Sequence, residues 1–291
     1  MRRAGPRLEE RRREGPSLEE PTIDDIEAFR RAVLGLYERE GRDLPWRRRV
    51  GPWAVLVSEI MLQQTQVSRV EPRYAAWMER FPDAASLASA ELAEVYEAWR
   101  GLGYNSRALR LRETAKICAE FYGGVPPADE RLLLELPGVG RYTARAVLAF
   151  AYDQPTVFLE TNIRAALIFH FRPGGDRVGD RELESLAAAV LDRGDPRTWY
   201  YALMDYGSWL KKREPNPTRR AAAYSTQSRF DGSVRQARGA ILRHLGDRGA
   251  VAIAEMAAES GIEYGRLDAA AAGLERDGLV VRDGDALRFA D

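Results

Sequence analysis

A mainly α-helical body followed by a small winged-helix-like domain is the architecture this sequence predicts. Three observations carry it. Apolar residues recur at three- and four-residue spacings through most of residues 22–210. No convincing strand pattern occurs before about residue 276. Beyond it, two apolar runs flank Asp283-Gly284-Asp285, which is a hairpin signal.

The elements follow in order. Residues 1–21 alternate Arg and Glu blocks with Gly5, Pro6, Gly15, Pro16 and Pro21, and read as a disordered charged tail. The first helix starts at a cap-like Thr-Ile-Asp-Asp, with Ile26, Phe29, Val33, Leu36 and Tyr37 on one face. Further helical stretches are expected at 53–65, 67–80, 91–99, 105–122, 129–135, 140–151, 160–171, 180–193 and 198–210. Turn residues separate them, among them Phe81-Pro82-Asp83, Gly101-Leu102-Gly103, Gly123-Gly124 and Asp195-Pro196. Residues 211–231 are basic and poor in aliphatics and read as a linker. Residues 232–291 offer helices near 233–246, 251–259 and 263–276 and then the hairpin. That order resembles a winged helix; a miscellaneous small α+β domain stays open.

The chain has 291 residues with 44 Lys+Arg against 44 Asp+Glu, 30% charged and 45% apolar. This is a globular composition with ample chain for a core. No apolar run approaches the roughly 18 residues of a membrane span, and no secretory leader is visible. The single cysteine, Cys118, excludes a disulfide framework and a cysteine-built metal cluster. Two histidines, His170 and His244, leave little for a histidine metal site or a Ser-His-Asp triad. Lysine occurs only at 116, 211 and 212, so 41 of the basic residues are arginine, whose forks suit phosphates. Zero net charge does not argue against a nucleic-acid partner, because its distribution is uneven. Residues 207–248 carry ten Lys/Arg and three acids, whereas 249–291 carry four and nine. The linker and the first C-terminal helix are therefore the parts expected to face a polyanion.

The sharpest local motif is Leu136-Pro137-Gly138-Val139-Gly140-Arg141-Tyr142, a Gly-containing turn between two helices. Such a turn lets backbone N–H groups approach a phosphate at the next helix N-terminus, although alone it is more often punctuation. Glu59 lies in an apolar run, Val55-Leu56-Val57 before it and Ile60-Met61-Leu62 after. A carboxyl withdrawn from water there would hold its proton and serve as a general acid. On helix spacing alone, a solvated glutamate is the commoner outcome. Gln63, Gln64 and Thr65 form an uncharged hydrogen-bonding run, or merely a polar helix end. Tyr104 follows two glycines, as a stacking wedge or a core aromatic, with Arg107 beyond it.

Taken together, Leu44-Pro45-Trp46-Arg47, the string SEIMLQQTQV from Ser58, Gly101-Leu102-Gly103-Tyr104-Asn105, the Pro-Gly-Val-Gly turn and Glu160-Thr161-Asn162-Ile163-Arg164 resemble the helix-hairpin-helix superfamily of base-excision DNA glycosylases. The adenine glycosylase branch is the nearest likeness, over about Asp43 to Gly207. The resemblance implies two helical subdomains flanking a cleft, with N- and C-terminal parts of residues 22–210 joining in one of them. It implies that Glu59 protonates the leaving purine and helps activate water, with Glu160 stabilising the sugar cation and Tyr142 and Asn162 supporting. It also implies that Leu62 or Gln63 plugs the gap left by a flipped nucleotide while Gln63, Gln64 and Thr65 read the opposite base. Pro137, Gly138, Val139, Gly140 and Arg141 would clamp phosphate, with Tyr104 and Arg107 also on DNA. The endonuclease III branch has a lysine where Tyr142 stands. Tyrosine forms no Schiff base, so weak or no abasic-site lyase activity is implied.

Three departures matter. The family has an aspartate where this chain has Glu160, one methylene longer. The family carries four iron–sulfur cysteines after the region of Leu203–Gly207; here the segment 211–220 has none. Lys211, Lys212, Arg213, Arg219 and Arg220 are expected to contact phosphates instead. The usual domain that reads oxidised guanine is replaced by the winged-helix-like segment.

The expected function is a monofunctional glycosylase releasing adenine mispaired with 8-oxoguanine or guanine. A thymine or uracil mismatch glycosylase and a non-catalytic DNA-damage binder are the alternatives. The expected partner is double-stranded DNA with a mismatch or damaged base, bound by a cytoplasmic, nucleoid-associated monomer without membrane contact. No cofactor is expected; a monovalent cation at the hairpin is compatible with the resemblance. Cys118, His170 and the tryptophans at 53, 77, 99, 199 and 209 are expected to be packing residues.

Overall fold

The computed structural model describes residues 20–48, 51–226 and 229–290. All of the expected tail except Glu20 and Pro21 lies outside the described residues. Among the described residues there are fourteen α-helices, α1–α14, and three strands, β1–β3. None of these helices is long and apolar enough to cross a membrane. The chain divides into two compact units, each assembled from two separate stretches.

The first unit combines residues 20–43 with 153–225. It contains α1 (Ile23–Glu40), α9 (Thr161–Phe171), α10 (Asp180–Val190) and α11 (Pro196–Arg213). Helix α1 starts at a capping box in which the Thr22 hydroxyl accepts from the Asp25 N–H and the Asp25 carboxylate accepts from Thr22. Its apolar stripe puts Phe29 into an aromatic cluster, edge-on to His170 at 4.9 Å, Phe171 at 5.1 Å and Trp199 at 5.9 Å. Such pairs add about 0.5–1.5 kcal/mol each beyond their buried area. His170 also bonds the Tyr206 hydroxyl at 2.7 Å, so it packs, as expected. Asp205, buried in α11, accepts from the Arg42 backbone N–H at 2.8 Å and from its guanidinium at 2.7 Å, which ties the chain after α1 to α11.

The second unit combines residues 44–152 with 226–290. Its helical part holds α2 (Pro52–Leu62), α3 (Val67–Arg80), α4 (Ala84–Ser89), α5 (Leu92–Trp99), α6 (Ser106–Phe121), α7 (Glu130–Glu135) and α8 (Arg141–Tyr152). Trp77 sits fully buried between Phe81 at 4.9 Å and Trp99 at 5.4 Å. The same unit holds α12 (Val234–Arg248), β1 (Ala250–Ala252), α13 (Ile253–Ser260), α14 (Tyr264–Arg276), β2 (Val280–Asp283) and β3 (Ala286–Phe289). The strands form an antiparallel sheet in the order β1-β3-β2, with Ala250 opposite Arg288 and Val280 opposite Phe289. Three helices with this sheet make a winged helix. It is seated on the helical part, where Phe289 stacks on Tyr96 at 5.1 Å with 12° between the planes.

Several expected boundaries differ. The winged helix belongs to the unit of residues 44–152 instead of standing apart from a body at 22–210. The stretch 211–231 is not simply a linker, since Lys211–Arg213 complete α11 and Pro217–Arg220 form a 3-10 turn. Val178 and Ala221 then pair as a bridge. Strand β1 precedes the expected onset of β structure, and α4 is a helix that the apolar spacing does not predict. Helix α2 ends at Leu62, so Gln63-Gln64-Thr65 is a turn, not helix.

Candidate active site

Helix α2 is buried on nearly every side, from Trp53 through Met61. It therefore has no polar face to which Glu59 could belong, and Glu59 is only 4% exposed. A buried carboxyl must find donors. One is Tyr142, whose hydroxyl donates to Oε2 of Glu59 at 3.0 Å. The pair forms because α2 packs against α8, and Tyr142 is the second residue of α8.

The turn before α8 is the expected hairpin. The Val139 N–H donates to the Leu136 carbonyl at 3.1 Å, and the carbonyl of Pro137 accepts from the Thr114 hydroxyl at 2.8 Å. Gly138 has φ +82°, and a Cβ there would lie 3.1 Å from the Arg110 side chain, so glycine is needed twice over. Gln63 donates to the Gly138 carbonyl at 3.3 Å and to the Thr143 hydroxyl at 3.1 Å. The end of α2 is thereby laced to the hairpin. Gly140 and Arg141 are exposed at the start of α8, where backbone N–H groups lack helical partners. Val139 is buried, so only its backbone can face a ligand. Leu62 and Thr65 are half-buried and Gln64 is exposed at φ +53°. That left-handed geometry is uncommon for glutamine.

The loop from Arg100 to Asn105 presents Tyr104, half-buried and also left-handed, with φ +48°. Arg107 holds this loop from inside. It is 7% exposed and donates to the carbonyls of Ile60, Met61, Gln63, Leu102 and Gly103 and to the Thr65 hydroxyl, at 2.6 to 3.2 Å. Burial pushes its guanidinium down to about 10. The expected phosphate contact at Arg107 is therefore corrected. Its donors are spent on carbonyls, and it shapes the turn at Gln63 and the loop at Tyr104.

In the first unit, Glu160 caps α9. Its Oε1 accepts from the N–H groups of Asn162 at 2.7 Å and Ile163 at 2.8 Å, and its Oε2 from the Asn162 side chain at 3.1 Å. The longer side chain thus performs the capping an aspartate would. Burial raises the Glu160 pKa above the ordinary value; the two backbone donors and the charges of Lys211 and Arg164 oppose that rise. Burial lowers the Lys211 pKa, with Glu160 opposing. Gly207 on α11 makes this arrangement fit. A Cβ there would lie 2.0 Å from the Asn162 carbonyl oxygen.

The basic segment divides. Lys212, Arg213 and Arg219 are exposed, and Arg213 also stacks on Trp209 at 4.5 Å. Arg220 is committed to the carbonyls of Arg172 and Asp176, the latter at 3.1 Å, and Lys211 is half-buried beside Glu160. For Arg220 and Lys211 the expected phosphate role gives way to positioning. An iron–sulfur cluster does not fit this chain. Residues 211–220 contain no thiol, and Cys118 is buried in α6 with its thiol pushed up to about 11. Among the described residues there is also no group of three or more His, Cys, Asp or Glu able to hold a metal ion.

The structure therefore joins Glu59, Tyr142, Gln63 and the hairpin in one unit, and Glu160, Asn162 and Lys211 in the other. Sequence reasoning missed Gly207 as a contact position and Arg235, which meets Tyr104. Neither carries a local signal in the sequence, because the contact of each is with a residue far away along the chain.

A carboxyl buried in an apolar helix beside a helix-hairpin-helix turn defines a class. The chain belongs to the HhH-GPD superfamily of base excision DNA repair proteins, whose pattern residues 57–190 match. Over 287 residues the chain is 37% identical to the adenine DNA glycosylase of Mycobacterium tuberculosis, covering 89% of this chain and 91% of that one. It is 46% identical over 178 residues to that of Mycolicibacterium smegmatis, covering 60% of this chain. Here the chain spans only 61% of the relative's length. Among solved structures, a thermostable thymine-DNA glycosylase matches with a TM-score of 0.59 at 24% identity, over 67% of this chain and 91% of that one, a likeness of fold.

Proposed function

We propose that the protein is a monofunctional DNA glycosylase that releases adenine paired with 8-oxoguanine or guanine from duplex DNA. The observation that carries this is Glu59, 4% exposed and bonded by the Tyr142 hydroxyl at 3.0 Å. The target atoms are hidden in a stacked duplex, so the nucleotide is flipped out first. Glu59 gives its proton to a ring nitrogen of the base. The C1′–N bond breaks with its electron pair leaving on the base, and an oxocarbenium-like sugar remains. Glu160, held at the start of α9 by the N–H groups of Asn162 and Ile163, stabilises that cation electrostatically. Water then adds at C1′ and returns a proton to Glu59. Tyr142 orients the Glu59 carboxyl; it supplies no amine, so the strand is not cleaved by a Schiff base.

The adenine DNA glycosylases among the relatives support the choice of base, as does the uncharged Gln63-Gln64-Thr65 turn. Gly140, Arg141, Lys212, Arg213 and Arg219 are the exposed groups proposed for the phosphates. The hairpin carbonyls are hard oxygen donors of the kind a monovalent cation takes, and such an ion is kept in this reading. The protein acts without an iron–sulfur cluster, as a monomer on DNA in the cytoplasm.

The test is a set of duplexes bearing adenine opposite 8-oxoguanine, adenine opposite guanine, or thymine or uracil opposite guanine, cleaved by alkali after incubation. Release from the adenine duplexes that vanishes with Glu59→Gln is expected. Release only from thymine or uracil would make it the other mismatch enzyme. Binding without release on every duplex would make it a non-catalytic damage binder.

A further inference from the structure

The winged helix has no part in the chemistry above, yet α12 runs alongside the loop that presents Tyr104. At one end of the loop, Arg100 pairs with Asp247 of α12 at 2.7 Å. At the other, the Arg235 guanidinium donates to the Tyr104 hydroxyl at 3.4 Å and lies 5.9 Å from its ring centroid. Arg235 and Asp247 are twelve residues apart, about 18 Å along a helix. Arg100 to Tyr104 can span at most about 14 Å. Long side chains cover the difference, so α12 engages the loop at both of its ends.

The backbone of this loop is already held from the other side. Arg69 donates to the Gly101 carbonyl, Thr65 to that of Leu102 at 3.3 Å, and Trp99 to that of Gly103 at 3.1 Å. Arg107 adds bonds to Leu102 and Gly103 and lies 5.6 Å from the centroid of the Tyr104 ring. The Tyr104 ring thus lies within 6 Å of two guanidinium groups, one from the glycosylase helices and one from the winged helix. Two cation–ring contacts and a hydrogen bond to its hydroxyl give the phenol a defined direction.

We propose that the winged helix is a brace for the base-flipping loop, and that Arg235 is a positioning residue that aims Tyr104 into the duplex. The proposal rests on the reading of Tyr104 as a wedge. It assigns the winged helix an intramolecular task in lesion interrogation, reached through one side chain.

The experiment uses the full chain and a duplex carrying 2-aminopurine beside adenine opposite 8-oxoguanine. Stopped-flow fluorescence reads flipping, and single-turnover assays read base release. Arg235→Ala is expected to slow flipping about tenfold, from loss of one hydrogen bond and one ring contact. Arg235→Lys keeps the charge but loses the planar contact, and is expected to recover less than half of that loss. Asp247→Asn is expected to act in the same direction, about twofold. In DNA-free protein, the fluorine resonance of 3-fluorotyrosine placed at 104 is expected to shift in Arg235→Ala. Flipping at the wild-type rate in Arg235→Ala, or an unshifted resonance, overturns the brace. Full recovery by lysine together with a weaker salt dependence makes Arg235 a phosphate contact and overturns it as well. Failure of the wedge reading is seen separately, as Tyr104→Ala flipping like wild type.

Discussion

Gly207→Ala adds a single methyl group. That Cβ would lie 2.0 Å from the Asn162 carbonyl oxygen, 2.5 Å from its carbon and 2.8 Å from its Cα. All three are backbone atoms, so no side chain can swing aside. Restoring ordinary contact moves the start of α9 from α11 by more than 1 Å, and Glu160 and Asn162 move with it. Overpacking of this kind costs about 1–3 kcal/mol. Replacing a mid-helix glycine by alanine returns about 1 kcal/mol. The net loss is about 0–2 kcal/mol, a shift of at most several degrees in Tm. A misplacement of about 1 Å at a reacting centre costs on the order of 100-fold in rate. The expected signature is therefore a near-normal melting curve, followed by scanning fluorimetry, with base release slowed on the order of 100-fold under single turnover. A wild-type rate in a folded Gly207→Ala protein would refute the claim that this close approach sets the carboxylate. A collapse of stability without a folded population would refute the energy balance.

Four further outcomes are expected. Glu59→Gln abolishes base release while duplex binding, read by anisotropy, persists. Tyr142→Phe keeps the fold but slows release up to about tenfold, since a hydrogen bond to the neutral Glu59 carboxyl is worth about 0.5–1.5 kcal/mol. Arg107→Ala strands several buried carbonyls, each at a cost of about 1–3 kcal/mol, with lysine unable to rescue the multidentate geometry; chemical denaturation measures the loss. Glu160→Gln separates stability from activity. The folded-state pKa of Glu160 is raised by burial, so its stabilising contribution is complete below the unfolded value near 4.5 and is lost as pH rises through the folded one. Melting curves between pH 4 and 8 should therefore show Glu160→Gln gaining on wild type as pH rises, although base release is lost.

Periodicity made most helices legible, because a helix that buries one face must repeat its apolar residues. Helices α6, α8 and α9 lie within a residue of their expected limits. The failures have physical causes. The run after Leu62 carries no helix breaker, yet Arg107, forty-odd positions on, draws its carbonyls into a turn. Helix α11 runs on through Lys211–Arg213 because its polar last turn still bonds internally. Glu59 was ambiguous from spacing alone; its burial is decided by everything packed round α2. Arginine was the least legible residue. A sequence does not distinguish a guanidinium aimed at phosphate from one that caps carbonyls, as Arg107 and Arg220 do.

The interleaved chain path of the two units has a consequence during synthesis. The first unit lacks α9 to α11 until residue 213 has been made, so α1 must wait while the intervening 44–152 emerges. At about 5–20 residues per second this delay lasts about 10–35 seconds. The second unit in turn receives its third strand only with residues 286–289. Neither unit is complete before the ribosome is well past the other's first half. The nascent protein therefore exposes the apolar face of α1 for seconds, and chaperone occupancy of that helix should peak before residue 160 appears.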